Sequence, residues 1–203
     1  SLPWMAFGYG LSVTPLQTLT LYNAVANNGV MVKPIFFFFI KEWNKNIKKF
    51  DTQVINPKIC SQETLDKVHA VLENVVKKGT GSKLYSKDFS MAGKTGTAQV
   101  NYKDKSQLYY ASSFVGYFPA DEPKYSCIVV VHKPNVTAGY YGADVAGPVF
   151  KRIAQKIFTD SPSMNHVKNI DAKVVSQEKN YAEYYKKVEN EERIVPNVKG
   201  MDG

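Results

Sequence analysis

Along residues 14–29, TPLQTLTLYNAVANNG, apolar Leu16, Leu19 and then Val25 or Ala26 recur at helical spacing. The ends of that helix are marked too. Thr14 can cap it, Pro15 suits its first turn, Gln17 completes a capping box and Gly29 supplies a stop. Residues 32–43, VKPIFFFFIKEW, and 45–55, KNIKKFDTQVI, are aromatic and β-branched instead, which predicts strands with a turn at Asn44, Lys45 and Asn46. Pro34 belongs at the start of its strand or on an edge, because it cannot donate to a ladder. Helical periodicity returns over 61–81: Ser61 is the cap, Leu65, Val68, Leu72, Val75 and Val76 form one face, and Gly79 ends it.

Three strand patterns follow, at 89–100, 109–118 and 124–134. Pro119, Asp121 and Pro123 punctuate the short link between the last two, so these form an antiparallel hairpin. The apolar run CIVVV predicts a strand covered on both faces. Residues 142–158 then read as one helix packing on the sheet through Val149, Ile153, Ile157 and Phe158. The expected fold is α+β, an antiparallel sheet with helices on both faces, over residues 1–159. A polar linker should span 160–193, and residues 194–203, apolar again, read as the first strand of a further module.

Composition narrows the functions. The 203 residues carry a net charge of +8, but their lysines are interleaved with Asp and Glu rather than gathered in one block, so no nucleic-acid partner is expected. Cys60 and Cys127 are too few for a disulfide framework, and Cys127 in its apolar run reads as a buried inert thiol. His69, His132 and His166 are far apart in sequence and no C-x-x-C occurs, so neither a metal nor any other cofactor is expected. The longest apolar run, 34–40, is far shorter than the roughly 20 residues a membrane-spanning helix needs. The opening SLPWMAFGYG is not a signal peptide, and it reads as the interior of a longer protein.

The chemistry concentrates in MAGKTGTAQV, residues 91–100. A phosphate-binding loop would need glycine five positions before Gly93, where Asp88 stands, and a helix after the lysine, where β-favouring residues continue. The other reading is a strand carrying Lys94-Thr95-Gly96 on an open edge. Lys94 would bring an ammonium to the reacting centre and attract a substrate carboxylate. Thr95 and Thr97 would offer hydroxyls to it, and Gly96 would let a substrate peptide lie against the strand. The Thr97 N–H would serve as one oxyanion donor.

The neighbours of this box carry a resemblance. FGYGLSVTPLQTLTLYNAVANNGVMVKP, the 61–81 helix ending in Gly79-Thr80-Gly81, AGKTGTAQ, ASSFVGYFPADEPKYSCIVVV and YYGADVAGPVFKRI follow in order. Together they resemble the class B high-molecular-mass penicillin-binding proteins, the monofunctional peptidoglycan D,D-transpeptidases. The resemblance runs from about Leu2 to Phe158. It implies a β-lactamase/transpeptidase-like fold, present here as a partial domain, and a serine acyl-enzyme mechanism without cofactor. It also implies peptidoglycan stem peptides and β-lactams as ligands, other cell-wall synthesis or divisome proteins as partners, and an extracytoplasmic location behind an N-terminal membrane anchor. The tail VPNVKGMDG is similar to the opening of a PASTA repeat.

In that family the S-x-x-K and S-x-N boxes precede K-T-G, and residues 1–93 hold neither. Ser176 with Lys179, and Ser163 with Asn165, have the right spacing but follow the box and lie in the polar linker. The nucleophile is therefore expected outside this chain, which alone should be inactive. A serine β-lactamase and a β-lactam-binding sensor module share the K-T-G logic. The linker and further module argue against the first, and the missing serine box is compatible with the second. Tyr140 and Tyr141 are candidates to border the site; Gln99 reads as sheet packing, and Ser112 and Ser113 have no base at readable spacing.

Overall fold

The computed structural model describes residues 2–161 apart from 7, 9, 44, 102, 103, 105 and 138. Of the expected linker, 160–193, only Asp160, the last residue of a helix, and Ser161 are described; the rest of it, with Ser163, Asn165, Ser176 and Lys179, and the PASTA-like segment lie outside the described residues.

After a short helix α1 (Leu2–Ala6), α2 (Pro15–Ala26) begins as its sequence dictates. The Gln17 N–H donates to Thr14 Oγ1 at 3.2 Å, and the Thr14 N–H donates to Gln17 Oε1 at 2.8 Å, closing the capping box. Beyond its end, Gly29 takes a φ of 81° and its N–H returns to the Ala24 carbonyl. Ser61 caps α3 (Gln62–Lys77), and Leu65, Leu72 and Val76 are its buried stripe.

Between these helices the structure departs from the expected pair of long strands. Met31–Val32 (β1) pairs with Val54–Asn56 (β4), while Phe39–Glu42 (β2) pairs with Lys45–Lys49 (β3). Pro34 falls in the gap between the two pairs, where no ladder bond is asked of it. The turn bends at Trp43, with φ 48°, one residue before the expected cluster. Phe36, Phe37 and Phe38 stay outside the strands and exposed, although their composition favours a strand: the β2–β3 ladder ends at Phe39 opposite Lys49, with one further bond from the Phe50 N–H to the Phe38 carbonyl at 3.0 Å.

The central sheet has the order β5 (Ala92–Val100), β6 (Tyr109–Phe118), β7 (Tyr125–His132), antiparallel throughout. Its alternation builds two cores. Phe114 and Phe118 point to one side, where Phe150, Ala154, Val76 and Leu84 meet them. Tyr117 and Ala92, register partners, point to the other side, against Val25, Leu65 and Leu72 of α2 and α3. Helices thus cover both faces, as expected for the α+β class.

Two details differ from the sequence reading. β7 pairs with only one described strand, so its apolar residues are half-buried rather than enclosed. Cys127 packs against the first core, and its burial raises the thiol pKa, keeping it protonated and unreactive. The expected single helix over 142–158 is divided at Ala146 into α4 (Gly142–Val145) and α5 (Gly147–Asp160). Pro148 in the first turn starts α5 afresh, so its buried stripe runs through Phe150 and Ala154. Val149 and Ile153 are correspondingly exposed, whereas Ile157 and Phe158 pack as expected. No described helix is long and apolar enough to cross a membrane.

Two measurements check this packing. Phe114 is fully buried with its ring 4.7 Å from that of Phe150, so Phe114→Ala should lower the unfolding free energy in a urea titration by about 3–5 kcal/mol. Tyr117 is also fully buried; desolvation, aided by the Glu73 charge, raises its phenol above the ordinary 10.0. A raised folded-state value means the native protein holds its proton longer than the unfolded chain. Its contribution is therefore complete below pH 10 and is lost as pH rises through the folded-state value. Unfolding followed from pH 9 to 12 should show a steeper decline for the unsubstituted protein than for Tyr117→Phe.

Candidate active site

The site forms where β5 emerges from the core. Its first two residues, Ala92 and Gly93, are buried, and Lys94 is exposed. Gly93 lies opposite Gly116, and a Cβ on Gly93 would strike the Val115 carbonyl oxygen at 2.5 Å and the Phe114 ring at 2.7 Å. Side chains are excluded there because β5 and β6 are pressed onto Phe114. Beyond this tight region the strand opens. Among the described residues β5 pairs only with β6, so every second N–H and C=O of Lys94, Thr95, Gly96 and Thr97 faces a free edge.

Strand alternation places Lys94 and Gly96 on the α2–α3 side and Thr95 and Thr97 on the α5 side. The long Lys94 side chain bridges that division. Its Nζ donates to the Thr95 carbonyl at 3.1 Å and approaches Thr95 Oγ1 at 3.4 Å. Thr95 Oγ1 is in turn 3.0 Å from Thr80 Oγ1 in the Gly79-Thr80-Gly81 turn. Lys94 forms no ion pair among the described residues, so its charge is uncompensated by any neighbouring carboxylate.

Thr97 is held from the other side. The Gly142 N–H donates to Thr97 Oγ1 at 3.0 Å. Gly142 lies almost flat on the strands; a Cβ there would meet the Gly96 carbonyl oxygen at 2.5 Å. Gly96 also makes room for Ser113, whose Oγ would be 2.5 Å from a Cβ at that position. The loop before Gly142 carries Tyr140, stacked on Tyr110 with centroids 4.2 Å apart, and Tyr141, which is exposed. Tyr140 donates to the Tyr141 hydroxyl at 3.1 Å, and this bond, more than any other cause, pushes its phenol up to about 12. Gln99 reaches the Tyr110 hydroxyl at 3.3 Å, extending the cluster along β5. The ion pair of Lys83 and Asp144, 2.6 Å apart, joins the turn after Gly81 to α4.

The candidate residues Lys94, Thr95, Gly96 and Thr97 thus form one short open strip. Ser112 is fully buried and donates to the Tyr140 carbonyl, and no described serine hydroxyl bonds to a lysine or histidine side chain. The strip can bind an anion and align an extended peptide, while the described residues present no activated serine beside it. Sequence reading did not single out Thr80, Gly142 or Tyr110 as supports of the strip. Thr80 lies 15 residues from Thr95 and Gly142 lies 45 from Thr97, so local spacing carries no signal of either contact. Gly79-Thr80-Gly81 could have been noticed only as a glycine-flanked hydroxyl at a helix end.

Comparison with known proteins agrees with this geometry. Residues 3–155 match the family model described as the penicillin binding protein transpeptidase domain. Stage V sporulation protein D of Bacillus subtilis is 36% identical over 155 residues, which cover 73% of this chain and 23% of that protein. Peptidoglycan D,D-transpeptidase FtsI of Buchnera aphidicola is also 36% identical over 155 residues, covering 75% of this chain and 26% of that protein. Among solved structures, the apo TP domain of penicillin-binding protein 3 from Burkholderia pseudomallei aligns with a TM-score of 0.62 at 30% identity, covering 82% of this chain and 47% of that one. The chain spans about a quarter of the length of these curated relatives. With the K-T-G strip on an open edge strand and the family match running from α1 into α5, the chain belongs to the penicillin-binding protein transpeptidase domain family.

Proposed function

We propose that this chain supplies the K-T-G wall of a peptidoglycan D,D-transpeptidase, with the serine nucleophile delivered by a segment outside it. The single observation that carries the reading is the Lys94 ammonium, without an ion pair among the described residues, beside the hydroxyls of Thr95 and Thr80 on a strand edge that no described strand covers. In this reading a stem peptide adds to that edge as an extra strand. Lys94 raises the local positive potential, Thr95 and Thr97 bind the terminal carboxylate, and Gly96 leaves room for the peptide. The Thr97 N–H is one oxyanion donor for the tetrahedral intermediate. Tyr141 and Tyr140 border the far end of the strip. β-Lactams occupy the same place as acylating mimics of the stem peptide.

The absence of S-x-x-K from residues 1–93, and the names and lengths of the relatives, support a division of labour in which the acyl-enzyme forms only in a longer protein. That protein is read as anchored in the membrane by an N-terminal segment, facing the extracytoplasmic side and working with other cell-wall synthesis or divisome proteins. The tail VPNVKGMDG is read as opening a PASTA-like module.

Intact-mass measurement after incubation of this 203-residue chain with benzylpenicillin should find no covalent adduct; a stoichiometric adduct would place the nucleophile inside the chain. In the full-length protein, Lys94→Ala should slow acylation by benzylpenicillin about 100-fold or more, the usual cost of removing a preorganised electrostatic group. An unchanged rate would remove Lys94 from the site.

A further inference from the structure

Thr97 and Ser112 are register partners on β5 and β6, with side chains on the same face. Both hydroxyls reach the loop that precedes α4. Ser112 Oγ donates to the Tyr140 carbonyl, and two residues later the Gly142 N–H donates to Thr97 Oγ1 at 3.0 Å. Ser112 is completely buried, so this bond is made away from water, where a hydroxyl or carbonyl left without a partner is costly. Because Gly142 lies close against the backbone of Gly96 and Ser113 and the Tyr140 ring is stacked on Tyr110, a shift of the Tyr140 carbonyl is passed directly to the Gly142 N–H two residues on.

The direction of the second bond has a chemical consequence. A backbone N–H can only donate, so Thr97 Oγ1 accepts from Gly142 and its own O–H is left to donate outward. An outward O–H is what a carboxylate ligand needs. We propose that Ser112 is a positioning residue for Thr97. By holding the Tyr140 carbonyl it keeps the Gly142 N–H on Thr97 Oγ1, and so keeps the Thr97 hydroxyl aimed as a donor at the carboxylate of the bound peptide or β-lactam. This rests on the reading that Thr97 contacts that carboxylate. The functional role of Ser112 is thus indirect; its hydroxyl is committed to the protein backbone.

The test compares two substrates in the full-length protein: a penicillin with its free carboxylate and the methyl ester of the same compound. Ser112→Ala should slow acylation by the free acid about 10-fold, an effect of lost positioning, while changing the ester rate less than about 2-fold. Ser112→Cys, a weaker donor of similar size, should fall between, and it carries the test if Ser112→Ala does not fold. In a Thr97→Val background the further effect of Ser112→Ala should disappear, because the two residues act as one unit. Equal slowing of both compounds, no slowing of either, or full additivity with Thr97→Val would overturn the positioning role. If the unsubstituted protein acylates with neither compound, the assignment of the site falls and this inference with it.

Discussion

The pairing of β5 with β6 determines where everything else can sit. Its ladder runs unbroken from Ala92 opposite Tyr117 to Val100 opposite Tyr109. At one end the paired strands are clamped between two apolar layers, with Phe114 against Phe150 on one side and Tyr117 against the α2–α3 layer on the other. From there the middle of β5, with Thr95 opposite Phe114, carries Lys94 to Thr97 out of the core without loss of register. A strand anchored in this way gains precision at its open end that a loop could not supply. The glycines at 93 and 116 are part of that anchorage, since the backbones approach too closely for a Cβ on Gly93.

From this constraint the site's polarity follows in two steps. Alternation sends lysine and threonine to opposite faces, and the length of the lysine side chain brings its ammonium back across the edge to Thr95. The hydroxyls are then supported from behind, Thr95 by Thr80 and Thr97 by Gly142. Donors gathered at one edge, with no acidic partner for Lys94 among the described residues, favour an anionic ligand before any reaction begins. In a stretch that spans about a quarter of the relatives' length, β5, β6 and the loop into α4 are enough to orient the K-T-G strip.

Much of this was legible in the sequence because it is encoded locally. The Thr14–Gln17 box, the Ser61 cap and the β6 limits are written within a few neighbouring residues. The K-T-G strip, four residues from Lys94 to Thr97, is weak by itself and was legible because ordered neighbouring motifs accompany it. Where the reading failed, the deciding partner was distant. In α5, restarted at Pro148, Ile157 and Phe158 pack as read, but Phe150 and Ala154 rather than Val149 and Ile153 are the buried positions, a phase that counting large aliphatics missed. The Phe36–Phe39 run had strand composition, but only Phe39 found a partner strand. Likewise, Ser112 read as an idle strand hydroxyl until the chain returned 28 residues later to place the Tyr140 carbonyl beside it.

The central claim is that the free edge of β5 is the ligand-binding surface. Hydrogen exchange resolved to short peptides, on the full-length protein with and without a saturating β-lactam, tests it most directly. Protection should rise across residues 93–99 and in the 139–142 loop, with α2 and β7 unchanged. Protection gained elsewhere while residues 93–99 exchange as before would contradict it.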